Sequence, residues 1–466
     1  MQPVSLRELI AAIHGQPVGI DAVDVPVDRI ETDSRDVRPG DVFWALIGQN
    51  DDGHHYLQQA LRQGAVACVV EAERLTDDRQ QMILVEDTLL ALWDFAEWYR
   101  RQFDALVIGV TGSVGKTTTR HMVHTVLGQQ FVGVESPRNF NNHFGVPLSL
   151  LQLGSEHEYA VIELAASQVG EIADLASIAH PEVGLITAIG PAHLDEFGSL
   201  EQIVQTKGEL VAAIPGSGFA VLNGDDTLVR QLAARAACPV IFVGEQRDND
   251  LVAQWVRSEN GQLRFQVDST SFDVPVVGRH HLTSAMMAIA IGRQIDMSDA
   301  EIAAGLRSYR PVSGRSELLH IGPWLVVDDT YNANPLSMLA ACQTLQDWQG
   351  ANKRILVTGD MLSLGNASDE YHQQLGQFIA HTGINQLVAV GSQAALVAGS
   401  AKEHGMDAGC LGVCGDVETA RMLLDCWLEP GDVILVKGSR NMQMEQFVNY
   451  LKQRAAAAEQ PQRRVA

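Results

Sequence analysis

Short apolar runs alternate with amphipathic stretches along most of this 466-residue chain. Between residues 104 and 310 the apolar runs have the length of single strands, and the segments between them have helical spacing. A second alternation of this kind begins near Pro311. Strands that alternate with helices form parallel sheets covered on both faces. The pattern therefore predicts an α/β protein with at least two open sheets.

Nine strands are expected in these two stretches. They are Ala105–Val110, Tyr159–Leu164, Val183–Ile189, Gly218–Leu222, Val240–Val243, Trp324–Asp328, Arg354–Thr358, Leu387–Val390 and Val433–Val436. The stretch Trp255–Val277 instead alternates apolar and polar residues around Asn260-Gly261, which is a strong hairpin signal. Helices are expected at His280–Ile295, Asp299–Leu306, Pro335–Trp348, Ser368–His381 and Val417–Leu428.

The first hundred residues predict a small mixed α/β domain. Its strands are expected at Val42–Ile47, Ala65–Val70 and Met82–Val85, and its helices at Ser5–Ile13, Tyr56–Gln63 and Thr88–Arg101. The residues after Gln453 are polar and alanine-rich, which is typical of a frayed end. We therefore expect three domains, at 1–102, 103–311 and 312–454, and a polar tail at 455–466.

Composition narrows the class of protein. The net charge is −24, from 57 acidic and 33 basic residues, which argues against nonspecific binding to nucleic acid or an anionic membrane. No segment has the length of apolar sequence that a membrane span requires, and the N-terminus lacks a signal-peptide pattern. The six cysteines are scattered, as in a protein with reduced thiols. We expect a cytoplasmic protein.

The segment Ala105–Thr119 carries the strongest chemical signal. An apolar strand runs into a glycine-bracketed turn, and a helix follows at Lys116-Thr117. Backbone amides at such a turn bind phosphate, with the lysine on the terminal phosphates and the Thr117 hydroxyl on Mg²⁺. The strict P-loop pattern requires a glycine at Val110, so the match is to a shorter form. A glycine-rich turn with a chance Lys-Thr is the alternative, and the strand and helix on either side argue against it.

Several polar residues follow predicted parallel strands, where ligands bind in such sheets. They include Glu163, His193, Asp329 and Lys437. Glu163 is suited to Mg²⁺, although a single carboxylate at a strand end is often a helix cap. His193 alone would more often be structural. The amide-rich segment 139–147 fits either a turn or a polar substrate cleft.

Together, these ordered motifs resemble those of the Mur ligases, the ATP-dependent amide-forming enzymes of peptidoglycan synthesis. The resemblance extends from about Asp33 to Met444. It is carried by Asp33-Ser-Arg, Asp52-Gly-His, Thr111–Thr118, Asn139–Pro147, Glu163, Ala192-His-Leu, Lys207-Gly-Glu, Gly278-Arg-His, Gly314-Arg, Asp328–Pro335, Gly359-Asp-Met and Lys437-Gly-Ser-Arg.

The resemblance implies three domains: one for a nucleotide sugar, a central ATPase and a Rossmann-like C-terminal domain. It also implies that D-alanyl-D-alanine is joined to UDP-N-acetylmuramoyl-tripeptide through an acyl phosphate. Two Mg²⁺ ions are expected, held by Thr117, Glu163, His193 and a carbamylated Lys207. The catalytic residues would be Lys116, Glu163, His193, Lys207, Arg315 and Asp329.

The remaining assignments also come from the resemblance. ATP would contact Gly112, Ser113, Val114, Gly115, Lys116, Thr117, Thr118, Asn141, Ser284, Arg315, Asp329, Tyr331 and Asn332. The two other substrates would contact Ser34, Arg35, Asp52, His54, Asn139, Asn142, Asn334 and Lys437.

The chain departs from the family pattern at His281 and Ser284, where asparagine is usual, so an altered adenine pocket is expected. One alternative is another amide ligase of the same fold, such as a folylpolyglutamate synthetase, which would lack the Asp33-Ser-Arg and Asp52-Gly-His motifs. A second alternative is a catalytically silent nucleotide-binding scaffold. We expect a monomer.

Overall fold

A computed structural model of the chain describes residues 1–48, 50–74 and 80–463, with side chains described to residue 458. The chain divides into two compact units, and its helices and strands are numbered in chain order. The first unit is Met1–Gly109, Phe131–Ala165 and Ile172–Val183; the second is Val110–Gln130, Ala166–Glu171 and Gly184–Ala466.

The elements before residue 101 confirm the predicted mixed domain. They are β1 (Val4–Ser5), α1 (Leu6–Ala12), β2 (Gln16–Val18), β3 (Pro26–Val27), β4 (Ile30–Glu31), β5 (Val42–Trp44), α2 (Leu57–Gln63), β6 (Ala67–Glu71), β7 (Met82–Val85) and α3 (Thr88–Arg100). Ser5 begins α1 with a capping box to Glu8, and Asp87 caps α3. The strand order β2-β7-β6-β5-β4 forms one sheet, and β1 pairs with β3.

The middle of the chain alternates strand and helix as predicted. Its elements are β8 (Leu106–Thr111), α4 (Lys116–Leu127), β9 (Gly133–Glu135), α5 (Gly145–Leu150), β10 (Tyr159–Glu163), α6 (Glu171–Ala179), β11 (Val183–Ile186), α7 (Leu194–Phe197), α8 (Leu200–Ala213), β12 (Phe219–Asn223), α9 (Thr227–Arg230), β13 (Val240–Gly244), β14 (Leu251–Glu259), β15 (Gln262–Val267), β16 (Thr270–Val274), α10 (Leu282–Gln294) and α11 (Asp299–Ser308).

Sheet pairing in this region differs between the two units. In the first, β8, β10 and β9 are adjacent in that order. In the second, the order is β16-β15-β14-β13-β12-β11, with β12 to β14 parallel and β14 to β16 antiparallel. The hairpin prediction is confirmed, because Asn260 and Gly261 join β14 to β15 with φ of 49° and 77°, as a two-residue hairpin turn requires.

The C-terminal region forms a six-stranded sheet in the order β17-β18-β22-β19-β20-β21, parallel except for β17. Its elements are β17 (Glu317–Ile321), β18 (Trp324–Asp329), α12 (Pro335–Gln346), β19 (Arg354–Gly359), α13 (Ser368–Ala380), β20 (Gln386–Val390), α14 (Ala394–Glu403), β21 (Leu411–Cys414), α15 (Val417–Trp427), β22 (Val433–Lys437) and α16 (Glu445–Arg463). Apolar side chains cover both faces of this sheet.

Two sequence expectations are corrected. The predicted frayed end is wrong up to Arg463, because α16 continues to that residue and Ala455 is buried against the C-terminal core. Residues 464–466 lie outside the described residues. The predicted strand Val183–Ile189 ends at Ile186, since Thr187 instead bonds to the turn after β8. Within the described ranges, the helices are either too short or too polar to cross a membrane.

Candidate nucleotide and ligation site

The turn between β8 and α4 is built by two glycines with positive φ. Gly112 has φ +147° and Gly115 has φ +84°. A Cβ added at Gly112 would lie 2.1 Å from Thr187 Oγ1, so a side chain there would have no room. Gly115 ends the turn in the left-handed region, which glycine adopts without strain. The chain then enters α4, whose first amide groups lie at the end of the turn.

The segment after β11 holds this turn in place. Ser113 N donates to Ala188 O at 2.8 Å, and Ser113 Oγ donates to Gly190 O at 2.9 Å. Thr187 Oγ1 donates to Val114 O. Sequence reasoning missed Thr187 and Gly190, because nothing in their spacing shows which loop they face. These three bonds fix the backbone of the turn from outside.

Lys116 and Thr117 begin α4 at the mouth of the turn. The Lys116 ammonium donates to Gly112 O at 2.8 Å, so its charge lies over the turn. Thr117 is buried, and its Oγ1 accepts a 3.3 Å hydrogen bond from Arg315 Nη2. The Arg315 guanidinium also stacks on the Tyr331 ring, 3.8 Å from its centroid. The structure thus brings Lys116, Thr117, Arg315 and Tyr331 together, as the resemblance implies.

Asp329 and Lys437 form an ion pair rather than pointing away from each other. Lys437 Nζ lies 2.6 Å from Asp329 Oδ2 and 2.9 Å from Asn332 O. Burial alone would raise the pKa of Asp329, but the ammonium of Lys437 outweighs it and the net shift is downward. Asp329 is therefore favoured in its ionised form although its side chain is only 14% exposed.

Lys207 on α8 is 3% exposed, which is unusual for lysine. Its Nζ lies 3.5 Å from Ala166 O and 5.5 Å from the centroid of the Phe197 ring. Burial, assisted by the charge of Lys116, lowers the pKa of Lys207 to about 7. A large fraction of this amine is therefore uncharged near neutral pH, which makes it a nucleophile.

His193 precedes α7 with φ +54° and is about half exposed. Its Nδ1 lies 3.4 Å from Glu196 Oε2. Partial burial lowers the pKa of His193, Glu196 opposes that shift, and the charges of Lys116 and Lys207 add to it. The imidazole is thus favoured in its neutral form, the form that binds a metal.

Glu163 ends β10 in the first unit and is 1% exposed. Its Oε1 accepts a 2.9 Å hydrogen bond from Asn141 Nδ2, so this amide orients the carboxylate. Asn142 lies in the turn before α5, and its Oδ1 accepts from Gly145 N at 3.0 Å. The sequence of segment 139–147 fits either a turn before a helix or a polar substrate cleft. The turn describes Asn142. Asn139 is exposed.

The N-terminal candidates are bonded mainly to one another. His54 Nδ1 lies 2.6 Å from Asp52 Oδ1, and His54 Nε2 accepts from Glu71 N at 2.9 Å. Arg74 Nη1 donates to Asp52 Oδ2 at 2.9 Å. His54 therefore uses both ring nitrogens to hold its own loop. Its role toward a substrate, with that of Asp52, stays a prediction.

Arg35 and Ser34 differ in exposure. The Arg35 side chain is 80% exposed and pairs with Asp33 at 2.5 Å, and this contact lowers the pKa of Asp33 to about 2. Ser34 is buried. An exposed guanidinium beside a buried hydroxyl suits a phosphate-bearing ligand, and this assignment also stays a prediction.

Three further candidates have local structural partners. Ser284 Oγ lies 2.8 Å from Thr119 Oγ1 and joins α10 to α4. Asn334 begins α12 as its cap, bonded to Ser337 N at 2.9 Å. His281 is 5% exposed, and among the described residues its Nε2 has no hydrogen-bond partner. Burial lowers the pKa of His281, so it is neutral.

The donor set suits Mg²⁺ bound together with a nucleotide. No group of three or more His, Cys, Asp or Glu side chains within residues 1–48, 50–74 and 80–463 could form a complete metal cage. Mg²⁺ is commonly bound by one or two protein oxygens and the substrate phosphates. The Thr117 hydroxyl in the second unit is an oxygen ligand of that kind. The fold and this loop define a nucleotide-binding α/β protein.

Comparison with known proteins gives the family. Models of the Mur ligase family match three stretches: the catalytic domain at 26–100, the middle domain at 110–292 and the glutamate ligase domain at 314–440. The chain belongs to the Mur ligase family.

Individual relatives agree along nearly the whole chain. A protein of Escherichia coli named UDP-N-acetylmuramoyl-tripeptide–D-alanyl-D-alanine ligase is 35% identical and covers 97% of this chain and 99% of its own length. A protein of the same name from Bacillus subtilis is 33% identical, covering 91% and 93%. The crystal structure of MurF from Acinetobacter baumannii has a TM-score of 0.89 at 32% identity, covering 97% and 99%. MurF of Thermotoga maritima in complex with ADP has a TM-score of 0.80 at 29% identity, covering 92% and 98%.

The turn at Gly112 yields the first prediction. Gly112→Ala should weaken ADP binding by about 10-fold or more, because the added methyl group must displace Thr187 or the loop backbone. Isothermal titration calorimetry measures this. Gly399→Ala is the control, since no atom lies within 4 Å of its added Cβ. Equal ADP affinity in the Gly112→Ala variant and wild type would show that nucleotide binds elsewhere.

Proposed function

We propose that this chain is an ATP-dependent ligase that joins D-alanyl-D-alanine to UDP-N-acetylmuramoyl-tripeptide. Curated relatives of that name, 35% and 33% identical over nearly their full lengths, support the proposal. The observation that carries it is the arrangement at the mouth of the loop. There the Lys116 ammonium donates to Gly112 O, and the Arg315 guanidinium donates to the hydroxyl of the next residue, Thr117.

The reaction has two steps, each with a clear leaving group. A carboxylate oxygen of the tripeptide attacks the γ-phosphorus of ATP, the bond to ADP breaks, and an acyl phosphate forms. The amine of D-alanyl-D-alanine then attacks the acyl carbon, phosphate leaves, and the amine gives up a proton. Phosphoryl transfer depends on positioning and charge neutralisation. Lys116 and Arg315 supply both, because each donates from a fixed position beside the loop.

Mg²⁺ would be held by the Thr117 hydroxyl and the Glu163 carboxylate, and a second ion by His193 and a carbamylated Lys207. When bound, these ions neutralise charge on the transferring phosphoryl group. The buried, neutral amine of Lys207 supports carbamylation, because CO₂ reacts with an uncharged amine and leaves an oxygen ligand. The lowered pKa of His193 supports its role as a ligand.

The substrate assignments follow the same proposal. The uridine diphosphate would be bound near Ser34 and Arg35, where the exposed guanidinium supports a phosphate contact. Tyr331 and Asn332 would contact the nucleotide, and Asn334 would contact D-alanyl-D-alanine. Asp52, His54, Asn139 and Asn142 would contribute to the peptide and sugar sites.

We also propose the domain boundaries 1–102, 103–311 and 312 onward. The three family models fall inside these ranges, which supports them. A cytoplasmic monomer completes the proposal. In the described part of the chain the six cysteines are unpaired and four of them are buried, as expected in a reducing compartment.

The second prediction is the activity itself. Phosphate release should require ATP, UDP-N-acetylmuramoyl-tripeptide and D-alanyl-D-alanine together, and Lys116→Met should lower kcat by about 100-fold or more through lost charge stabilisation. Lys353→Met, in a lysine remote from the loop, should retain activity. Tight ATP binding without substrate-dependent phosphate release would instead support a silent scaffold. Release with folate and glutamate would support the other ligase class.

The third prediction concerns Lys207. With ¹³C-bicarbonate, wild type should show a carbamate carbon signal by NMR that Lys207→Met lacks and Lys353→Met keeps. Because the pKa is lowered to about 7, the neutral amine increases as pH rises through that value, so the signal should grow from about pH 6 to about pH 8. An identical spectrum in wild type and Lys207→Met would contradict carbamylation.

A further inference from the structure

The buried ion pair of Asp329 and Lys437 lies at the carboxyl edge of the C-terminal sheet. The two residues end the adjacent strands β18 and β22 and are register partners. Lys437 is 2% exposed, and its ammonium contacts Asp329 Oδ2 and Asn332 O. With two oxygen partners and almost no exposure, this amine is poorly placed to contact a substrate directly.

The other oxygen of Asp329 bonds to the segment that carries Arg315. Ser316 N donates to Asp329 Oδ1 at 3.0 Å. The carboxylate therefore links the ammonium of Lys437 to the residue that follows Arg315. Losing the ammonium would leave a buried carboxylate without its charge partner, and such a group protonates or turns toward water.

Arg315 is also supported by Tyr331, which follows the end of β18, where Lys437 makes its contacts. Tyr331 N donates to Gly314 O at 3.1 Å, and the Tyr331 ring stacks on the Arg315 guanidinium. Tyr331 lies between Asp329 and Asn332, the two residues that Lys437 contacts. The backbone before Arg315, the backbone after it and the ring beneath it are thus all tied to one ammonium.

We propose that Lys437 is a positioning residue, which acts through Asp329 and Tyr331 to hold Arg315 against Thr117. This differs from a substrate contact, the role that the family resemblance implies for Lys437. The consequence for catalysis rests on the proposed function, whereas the consequence for the backbone at Ser316 and Tyr331 does not.

The fourth prediction compares two ion-paired lysines at opposite edges of the same sheet, Lys437, which is buried, and Lys353, which is partly buried. Lys437→Met should lower kcat by about 100-fold, the cost of a small misplacement in a reacting site, while the KM values for UDP-N-acetylmuramoyl-tripeptide and D-alanyl-D-alanine change less than about threefold. Lys353→Met is the matched control. Lys353 Nζ bonds to Trp427 O at 2.6 Å and lies 3.7 Å from buried Asp432, but it precedes β19 at the opposite edge. It should lose stability without losing kcat.

Amide hydrogen exchange gives a readout that does not depend on activity. In Lys437→Met the amides of Ser316 and Tyr331 should exchange about 10-fold faster than in wild type, and in Lys353→Met they should not change. Unchanged exchange at both amides would overturn the positioning role. So would activity restored by saturating either peptide substrate, which would indicate direct contact. Faster exchange in a chain whose wild type has no ligase activity would support the positioning role and overturn only the proposed function.

Discussion

The turn after β8 can exist only because Gly112 has no side chain where Thr187 crosses behind it. That close approach lets Thr187, Ala188 and Gly190 bond to the turn, and the bonded turn leads into the first amides of α4. The positions or pKa values of several groups in the second unit depend on this turn. Lys116 covers it, Arg315 reaches the adjacent Thr117 hydroxyl, and the pKa values of His193 and Lys207 respond to the charge of Lys116.

A protein with net charge −24 has to concentrate its cations where anionic substrates bind. Lys116 and Arg315 make their contacts at the loop. Lys207 is different, because burial and the charge of Lys116 lower its pKa and favour the neutral amine that the proposed carbamylation requires. Lys437 is paired with a carboxylate and acts on the structure instead. Burial and neighbouring groups thus give the basic residues of this unit different roles.

The sequence predicted strands, helices and the loop well because each depends on local spacing. The glycines of Thr111–Thr118 predict the turn, and Asn260-Gly261 predicts the hairpin. Long-range pairing could not be predicted. Nothing in the spacing of Asp329 and Lys437 shows that they are register partners. Nothing in the sequence near Ser113 indicates that it bonds to Ala188 and Gly190. Strand β17, helix α14 and strand β21 were missed because their apolar patterns are short. The prediction of a frayed C-terminal end was wrong because Ala455 packs against the core. The alanine-rich sequence alone indicates a free end.

Sequence alone does not show whether a polar residue near the end of a strand binds a ligand or bonds to its own backbone. Asn334 caps a helix, Asn142 bonds within a turn and His54 bonds to its own loop, although each was expected to bind substrate. A cap and a ligand contact use the same side-chain atoms, so sequence cannot separate them. Arg315 shows the opposite case, because its contact with Thr117 places it at the loop, as the resemblance implied.

The central claim is that the loop holds the γ-phosphate of ATP for attack by a peptide carboxylate. Its most direct test labels the terminal carboxylate of UDP-N-acetylmuramoyl-tripeptide with ¹⁸O and measures the isotope in the phosphate released during ligation. An acyl phosphate transfers one carboxylate oxygen to phosphate, so mass spectrometry should find one ¹⁸O atom in each phosphate. Phosphate free of ¹⁸O, with the product formed normally, would contradict the account.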